Sequence, residues 1–287
     1  MEQKRFHLHA LSALHVGTGQ GVGVVDLPIA RARATNLPLV PGSAIKGVLR
    51  DELPFNENLR TTLFGPVSTA EGDTHAGALA VGDAHLLLLP VRSFSGVVAF
   101  ATCPFILERY ARDQEGTTPG APTLSTDQAA LTRNSPLLAG NKVLLEDLDL
   151  SAIAGEANTI QWAERISQAL YPDGADKATE WRAEFVKRFA ILPDAVFAFL
   201  ADTATEIRAR VRINDETRTV ARGALWYEEN LPAESVLWGV IGISASRSTR
   251  HPASAGDLAA LLPRGELCLQ IGGKHTVGRG LCRFLLA

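Results

Sequence analysis

The chain has 287 residues, 46% of them hydrophobic and 21% charged, with a formal net charge of −3. It is long enough to bury a core as one large domain or one domain with sizeable insertions, and no apolar run approaches a membrane span. Cys103, Cys268 and Cys282 are widely separated and lack a CxxC partner, which excludes a zinc site or a disulfide framework and points to a reducing cytoplasm.

The N-terminal "RFHLHALSALHV" alternates as a first strand and lacks the long apolar core of a signal peptide. A glycine loop follows, with Gly17, Gly19, Gly21 and Gly23 at every second position, a pattern suited to backbone that bends closely around something. Ser43 is expected to cap the helix "AIKGVLRDEL", on which Lys46 and Arg50 share a face. "NENLRTTLFG" is a second short helix ending at Gly65, and "VSTAEGDTHAG" is a polar loop. "ALAVGDAHLLLLPV" reads as a buried strand pair or a bent strand around Gly82, "GVVAFATCP" as a strand and "FILERYARD" as a helix after Pro104. The Gly-, Pro-, Thr- and Ser-rich "QEGTTPGAPTLSTDQ" marks a surface insertion. "NTIQWAERISQAL" and "DKATEWRAEFVKRFAIL" carry helical spacing.

"TEIRARVRINDETRTVARGALWYEE" is the clearest hairpin. Arg208, Arg210 and Arg212 alternate with apolar residues, "NDET" makes the turn, and Arg218 and Arg222 lie on the return strand. "SVLWGVIGIS", "GELCLQIGG" and "GLCRFLLA" are late strands, with Cys268 and Cys282 as small core residues. No linker or internal repeat is visible, so the chain is one mixed α+β domain with insertions.

Net charge argues mildly against a nucleic-acid ligand, but cations cluster: Arg31, Arg33, Lys46 and Arg50 early, the hairpin arginines later, then Lys274, Arg279 and Arg283. "GTGQGVG" fails the dinucleotide pattern, "GGKHT" lacks P-loop spacing, and "SAIK" lacks the companion motifs of a serine hydrolase. Nothing supports a stand-alone nucleotide-binding enzyme. In "PGSAIKG", Gly42 and Ser43 open a helix whose N–H groups can hold an anion beside Lys46. In "IGGKHTVGRG", Gly272, Gly273, Lys274 and Arg279 form a second glycine-rich basic loop suited to phosphates. Either loop alone is most simply an ordinary turn; both, with a basic hairpin, favour a sugar-phosphate backbone.

"HVGTGQGVGVVDLPIARARATNLPLVPGSAIKGVLR", "LFG", "AGALAVGDAHLLLLPVRSFSGVVAFATCP" and "LQIGGKHTVGRG" together resemble the RAMP superfamily of CRISPR proteins. Among its branches they are most similar to the repeating backbone subunit of the type III-B (Cmr) RNA-targeting effector. The resemblance weakens between about residues 113 and 192. It implies a modified ferredoxin-like (RRM-like) palm, about 1–110 and 230–287, with a helical insertion at about 111–200 and a protruding thumb hairpin at about 203–229. It further implies a cytoplasmic helical filament whose partners are guide RNA, single-stranded target RNA, copies of itself and other Cmr subunits, with no membrane.

Within that resemblance, Gly42, Ser43, Lys46, Arg50, Gly272, Gly273, Lys274, Arg279, Arg208, Arg210 and Arg212 are the expected RNA-binding residues, gripping the backbone whatever its sequence. Asp26 occupies the position of the family's catalytic aspartate; outside that context, an Asp before Leu-Pro would more simply cap a turn. RNA cleavage by the adjacent 2′-hydroxyl needs a base or a metal near that oxygen. Asp26 would hold a weakly bound divalent metal, Mg or Mn, or orient the hydroxyl. His15 is a second acid/base candidate, and Tyr227 and Glu228 are candidates from a neighbouring subunit. A catalytically inactive guide-binding scaffold is the alternative function.

Overall fold

The computed structural model describes residues 1–19, 21, 25–67 and 74–287. Its first elements are β1 (Glu2–Ala10), β2 (Leu39–Val40), α1 (Gly42–Glu52), α2 (Glu57–Phe64), β3 (Leu79–Val81), β4 (Ala84–Ser93), β5 (Val97–Thr102) and α3 (Pro104–Arg112). Then come β6 (Gln128–Leu131), β7 (Leu138–Ala139), β8 (Lys142–Leu145), β9 (Leu148–Ala154), α4 (Ala157–Leu170), α5 (Ala178–Lys187), β10 (Phe189–Ile191) and α6 (Asp194–Thr203). The chain closes with β11 (Glu206–Ile213), β12 (Val220–Asn230), β13 (Val236–Ile243), α7 (Ala255–Leu261), β14 (Gly265–Gln270) and β15 (Leu281–Leu286).

An antiparallel sheet runs β14-β15-β1-β13-β4, with β3 added to β13 and β2 to β4. Alternation along β1 sends Phe6 and Leu8 to one face and His7 and His9 to the other, and all four are buried. Phe6 stacks on Phe284 with ring centroids 5.0 Å apart. His7 Nε2 meets the Tyr110 hydroxyl of α3 at 2.7 Å. Burial, and then Arg5, push His7 down to about 4, so it stays neutral inside the packing of Tyr110 against Trp162 and Trp238.

Strand β4 is long enough to serve a second unit. Its far half pairs with β5, and the order continues β5-β10-β6-β9-β8 until Ser93 meets Leu145 and returns the path to β4. Six strands thus close a small barrel. Its strands bury small alanines (Ala99, Ala101, Ala129, Ala130, Ala190) beside larger Leu and Phe residues, as a narrow interior requires. Both units bury β4, which explains its unbroken "LLLL".

Several sequence expectations change here. The 111–200 segment is not only helical: β6–β10 lie within it and build most of the barrel. "DKATEWRAEFVKRFAIL" is helical only to Lys187, and Phe189–Ile191 is a buried strand. At Gly82 the expected strand pair forms: β3 and β4 both pair with β13, β3 along residues 241–243 and β4 along residues 236–238. Pro41, not Ser43, is the N-cap of α1, without a side-chain cap bond. Gly42 is needed there for space, since a Cβ would lie 2.1 Å from the Val81 carbonyl. Cys282 is buried as expected, but Cys268 is exposed on edge strand β14. Gly23 and most of the polar loop after Val67 lie outside the described residues.

Strands β11 and β12 form a separate two-stranded sheet, with the turn at Asn214–Thr217 as the sequence predicts. The Asn214 side chain accepts from the amides of Glu216 and Thr217, closing that turn.

Candidate nucleic-acid interface

The glycine loop after β1 doubles back on itself. Gly17 bridges to Ile29, and the Ala30 amide donates to the Val16 carbonyl at 2.8 Å. The returning arm lies along the base of β12: Leu27 donates to the Tyr227 carbonyl at 3.1 Å, and Glu229 donates back to Leu27 at 3.0 Å. This short parallel pairing fixes Asp26. Its carboxylate is exposed, and Oδ2 accepts the Tyr227 amide at 2.7 Å. Within the chain, the contact of Tyr227 with Asp26 is made by the Tyr227 backbone amide.

Two consecutive glutamates in β12 lock the arrangement from opposite faces. Glu229 is buried; its carboxylate accepts the Ile29 amide at 3.0 Å and the Arg31 guanidinium at 2.6 Å. Arg31 is thus an internal ion-pair partner and not part of an open basic surface. Glu228 is 1% exposed. It accepts Lys274 Nζ at 2.9 Å, Trp226 Nε1 at 2.8 Å and Arg210 Nε at 3.3 Å. Burial pushes the Glu228 carboxyl up, but the hydrogen bonds from Lys274, Trp226 and Arg210 outweigh it and bring it down to about 2. Glu228 is an ionised hub that ties the hairpin to the 271–280 loop.

That loop presses on the first. At Gly272, φ is +85° and a Cβ would lie 2.3 Å from the His15 carbonyl, so only glycine fits. The Gly273 amide donates to the same carbonyl at 2.9 Å. His15 itself is buried, its Nδ1 2.6 Å from the Glu229 carbonyl. It braces the two loops from beneath, whereas Asp26 faces solvent. Arg279 is buried, and burial, followed by Arg208 and Arg210, pulls its guanidinium below its ordinary value. Gly21, Asp26, Leu27, Gly223, Leu225, Trp226 and Lys274 together line a cleft of about 470 Å³.

The helix residues lie apart from this cleft. The Gly42 amide donates to the Asp83 carboxylate at 2.8 Å, so that donor is already engaged, while Ser43 is exposed. Lys46 Nζ donates to the Leu79 carbonyl and Arg50 to the Gly65 carbonyl, both at 2.8 Å. Burial, and then Arg50, lower the Lys46 ammonium from its usual range.

On the hairpin, Arg208 pairs with Glu206 at 2.5 Å, Arg210 pairs with Glu228, and Arg212 is exposed. The other face leaves Ile207, Val211, Leu225 and Tyr227 each at least 41% exposed. Trp226 and Glu229 were not singled out from sequence. Trp226 does share the strand alternation that carries Arg210, its direct partner in register.

Among the described residues, no three of His, Cys, Asp and Glu gather as a metal site. Asp26 offers one carboxylate with one oxygen engaged, which fits a Mg²⁺ ion only if RNA phosphates and water supply the other ligands.

Fold and site together define the class. The RAMP superfamily model matches residues 7–283, and the chain belongs to that superfamily. More particularly, it is similar to the CRISPR system Cmr endoribonuclease Cmr4 of Pyrococcus furiosus, with 35% identity covering 97% of this chain and 94% of the relative. The CRISPR system CMR subunit Cmr4 of Saccharolobus solfataricus is 25% identical over the same shares. The crystal structure of oligomeric Cmr4 from P. furiosus superposes with a TM-score of 0.75 at 27% identity, covering 100% of this chain and 98% of that one. A chain in the cryo-EM structure of type III-B Cmr-beta bound to cognate target RNA shares the fold, with TM-score 0.73 at 18% identity, covering 100% and 97%. No helix among the described residues is long and apolar enough to cross a membrane.

Proposed function

We propose that this chain is the repeating backbone subunit of a cytoplasmic type III-B CRISPR effector, binding guide RNA and cutting the complementary target. The observation that carries this is the exposed Asp26 carboxylate, held by backbone beside Lys274 in a ligand-sized cleft, in a chain 35% identical to a Cmr endoribonuclease. The order β15-β1-β13-β4, antiparallel throughout with α1 and α7 in the crossovers, supports a ferredoxin-like palm. The β11–β12 hairpin is the thumb, and the guide runs past α1 and the 271–280 loop. Copies of the chain and other Cmr subunits complete the assembly.

In the reaction, the ribose 2′-hydroxyl attacks the adjacent phosphorus. The P–O2′ bond forms, the P–O5′ bond breaks, and the products are a 2′,3′-cyclic phosphate and a 5′-hydroxyl. Asp26 orients that hydroxyl or receives its proton, and Lys274 offsets charge on the phosphate. A magnesium or manganese ion bound at Asp26 would supply Lewis-acid stabilisation of the phosphate oxygens. The test is to assemble the complex with guide RNA and add labelled complementary RNA with and without magnesium. Cuts at regular intervals support the assignment; binding without cutting identifies an inactive scaffold.

Two variants probe the RNA path. Lys46→Ala is expected to weaken guide binding without sequence preference and to lower the slope of log affinity against log salt by about one. An unchanged slope would leave Lys46 as a tether to the Leu79 carbonyl alone. Deleting Asn214–Thr217 is expected to leave the palm folded but disturb the regular cut spacing, because a flipped-out nucleotide costs a few kcal/mol to unstack. An untouched cleavage ladder would place the thumb elsewhere.

A further inference from the structure

Among the described residues lining the Asp26 cleft, Trp226 is the aromatic ring. Its Nε1–H donates to Glu228 Oε1, the same oxygen that holds Lys274, and Lys274 Nζ lies 6.0 Å from the ring centroid. The indole donor is thus consumed within the protein, and what remains for a ligand is the ring face that Lys274 does not cover. Just before Trp226 the hairpin register slips: Val211 opposes Leu225, but Ile213 opposes Val220. Gly223 sits inside this bulge at φ +72° and lines the cleft. Such bulges re-aim neighbouring side chains.

The charge around the ring is uneven. Arg208, Arg210, Lys274 and Arg279 gather here against the carboxylates of Glu206 and Glu228. Arg279 is 6% exposed, and its Nε has no hydrogen-bond partner among the described residues. The four cations outnumber the two carboxylates, and the unmet Nε donor leaves the group with positive charge and a hydrogen bond unanswered within the described residues.

Resting on the RNA reading above, we propose that Trp226 is a stacking platform for one base of the bound RNA. Seated there, the base brings its phosphate to the cations and to Asp26. Stacking suits a binder that must accept any sequence, because every base has a π-face. An apolar peptide would satisfy the ring and leave the cations unmatched.

The full-length chain carrying Asp26→Asn, so that nothing is cut, is titrated with a short single-stranded RNA and with the same RNA in which alternate nucleotides lack their bases. Intact RNA is expected to quench indole emission and to bind roughly 10- to 100-fold more tightly than the abasic form. Adding Trp226→Leu should abolish that difference and the quenching, and Trp226→Phe should restore the affinity difference. A Leu variant as sensitive to base removal as its parent overturns the platform. Should the Leu variant misfold, intact RNA that fails to quench the Trp226-containing parent more than the abasic form does so equally. RNA that binds with no regard to its bases removes the platform alone, whereas no binding of either RNA removes the RNA reading as well.

Discussion

Asp26→Asn is expected to slow target cleavage by about 100-fold or more, with RNA binding and assembly nearly unchanged. A positioned acid/base group contributes roughly 10²- to 10⁴-fold, and a carboxylate that anchors a metal is no less costly to lose. The substitution keeps the side-chain oxygen that accepts the Tyr227 amide, so the loop's seat on β12 survives. Because Asp26 is exposed and outside the core, a global stability change of more than about 1 kcal/mol would be unexpected. The measurement is single-turnover cleavage of labelled target, with binding followed in parallel. A variant that cuts at the parental rate refutes the assignment.

Glu228→Gln is expected to destabilise the chain by about 1–3 kcal/mol at neutral pH, because Lys274 and Arg210 lose their charged partner while an acceptor of the same shape remains. The effect depends on pH in a defined direction. The folded-state value, about 2, lies below that of a free carboxyl, about 4.5. The stabilisation is therefore complete above about pH 4.5 and is lost as pH falls toward 2, with a ceiling near 3 kcal/mol. Denaturant unfolding of parent and variant at pH 7 and pH 3 should show the gap falling to about half or less. A gap unchanged with pH would mean that Glu228 acts through shape and not through charge.

What the sequence made legible was local. The hairpin could be read because arginines and apolar residues alternate through it, and the end of α2 because Gly65 stops it. The barrel escaped because its strands are short and its closure joins Ser93 to Leu145, a pairing that no local period records. "RFAIL" continued a helical pattern and became strand because β5 and β6 flank it with open edges. At the site, Asp26 stands out through the family resemblance and the 271–280 loop through its glycines and basic residues, but their juxtaposition is recorded by neither. Arg31 looked like open basic surface until Glu229, 198 residues away, was placed against it. Nothing local to His15 records that its ring is buried against the Glu229 carbonyl. Trp226 carried a faint signal, its phase with the arginine face, which becomes meaningful only once Asp26 is brought across from the other end of the chain.

The grip of Tyr227 on Asp26 is made by the peptide group, and this bears on how the site can drift through evolution. A main-chain donor is common to every amino acid except proline. Most replacements at position 227 would leave the Asp26 anchor in place, and that position can be reshaped for whatever its side chain faces. The anchoring is encoded by where strand β12 runs, not by the letter written at that position.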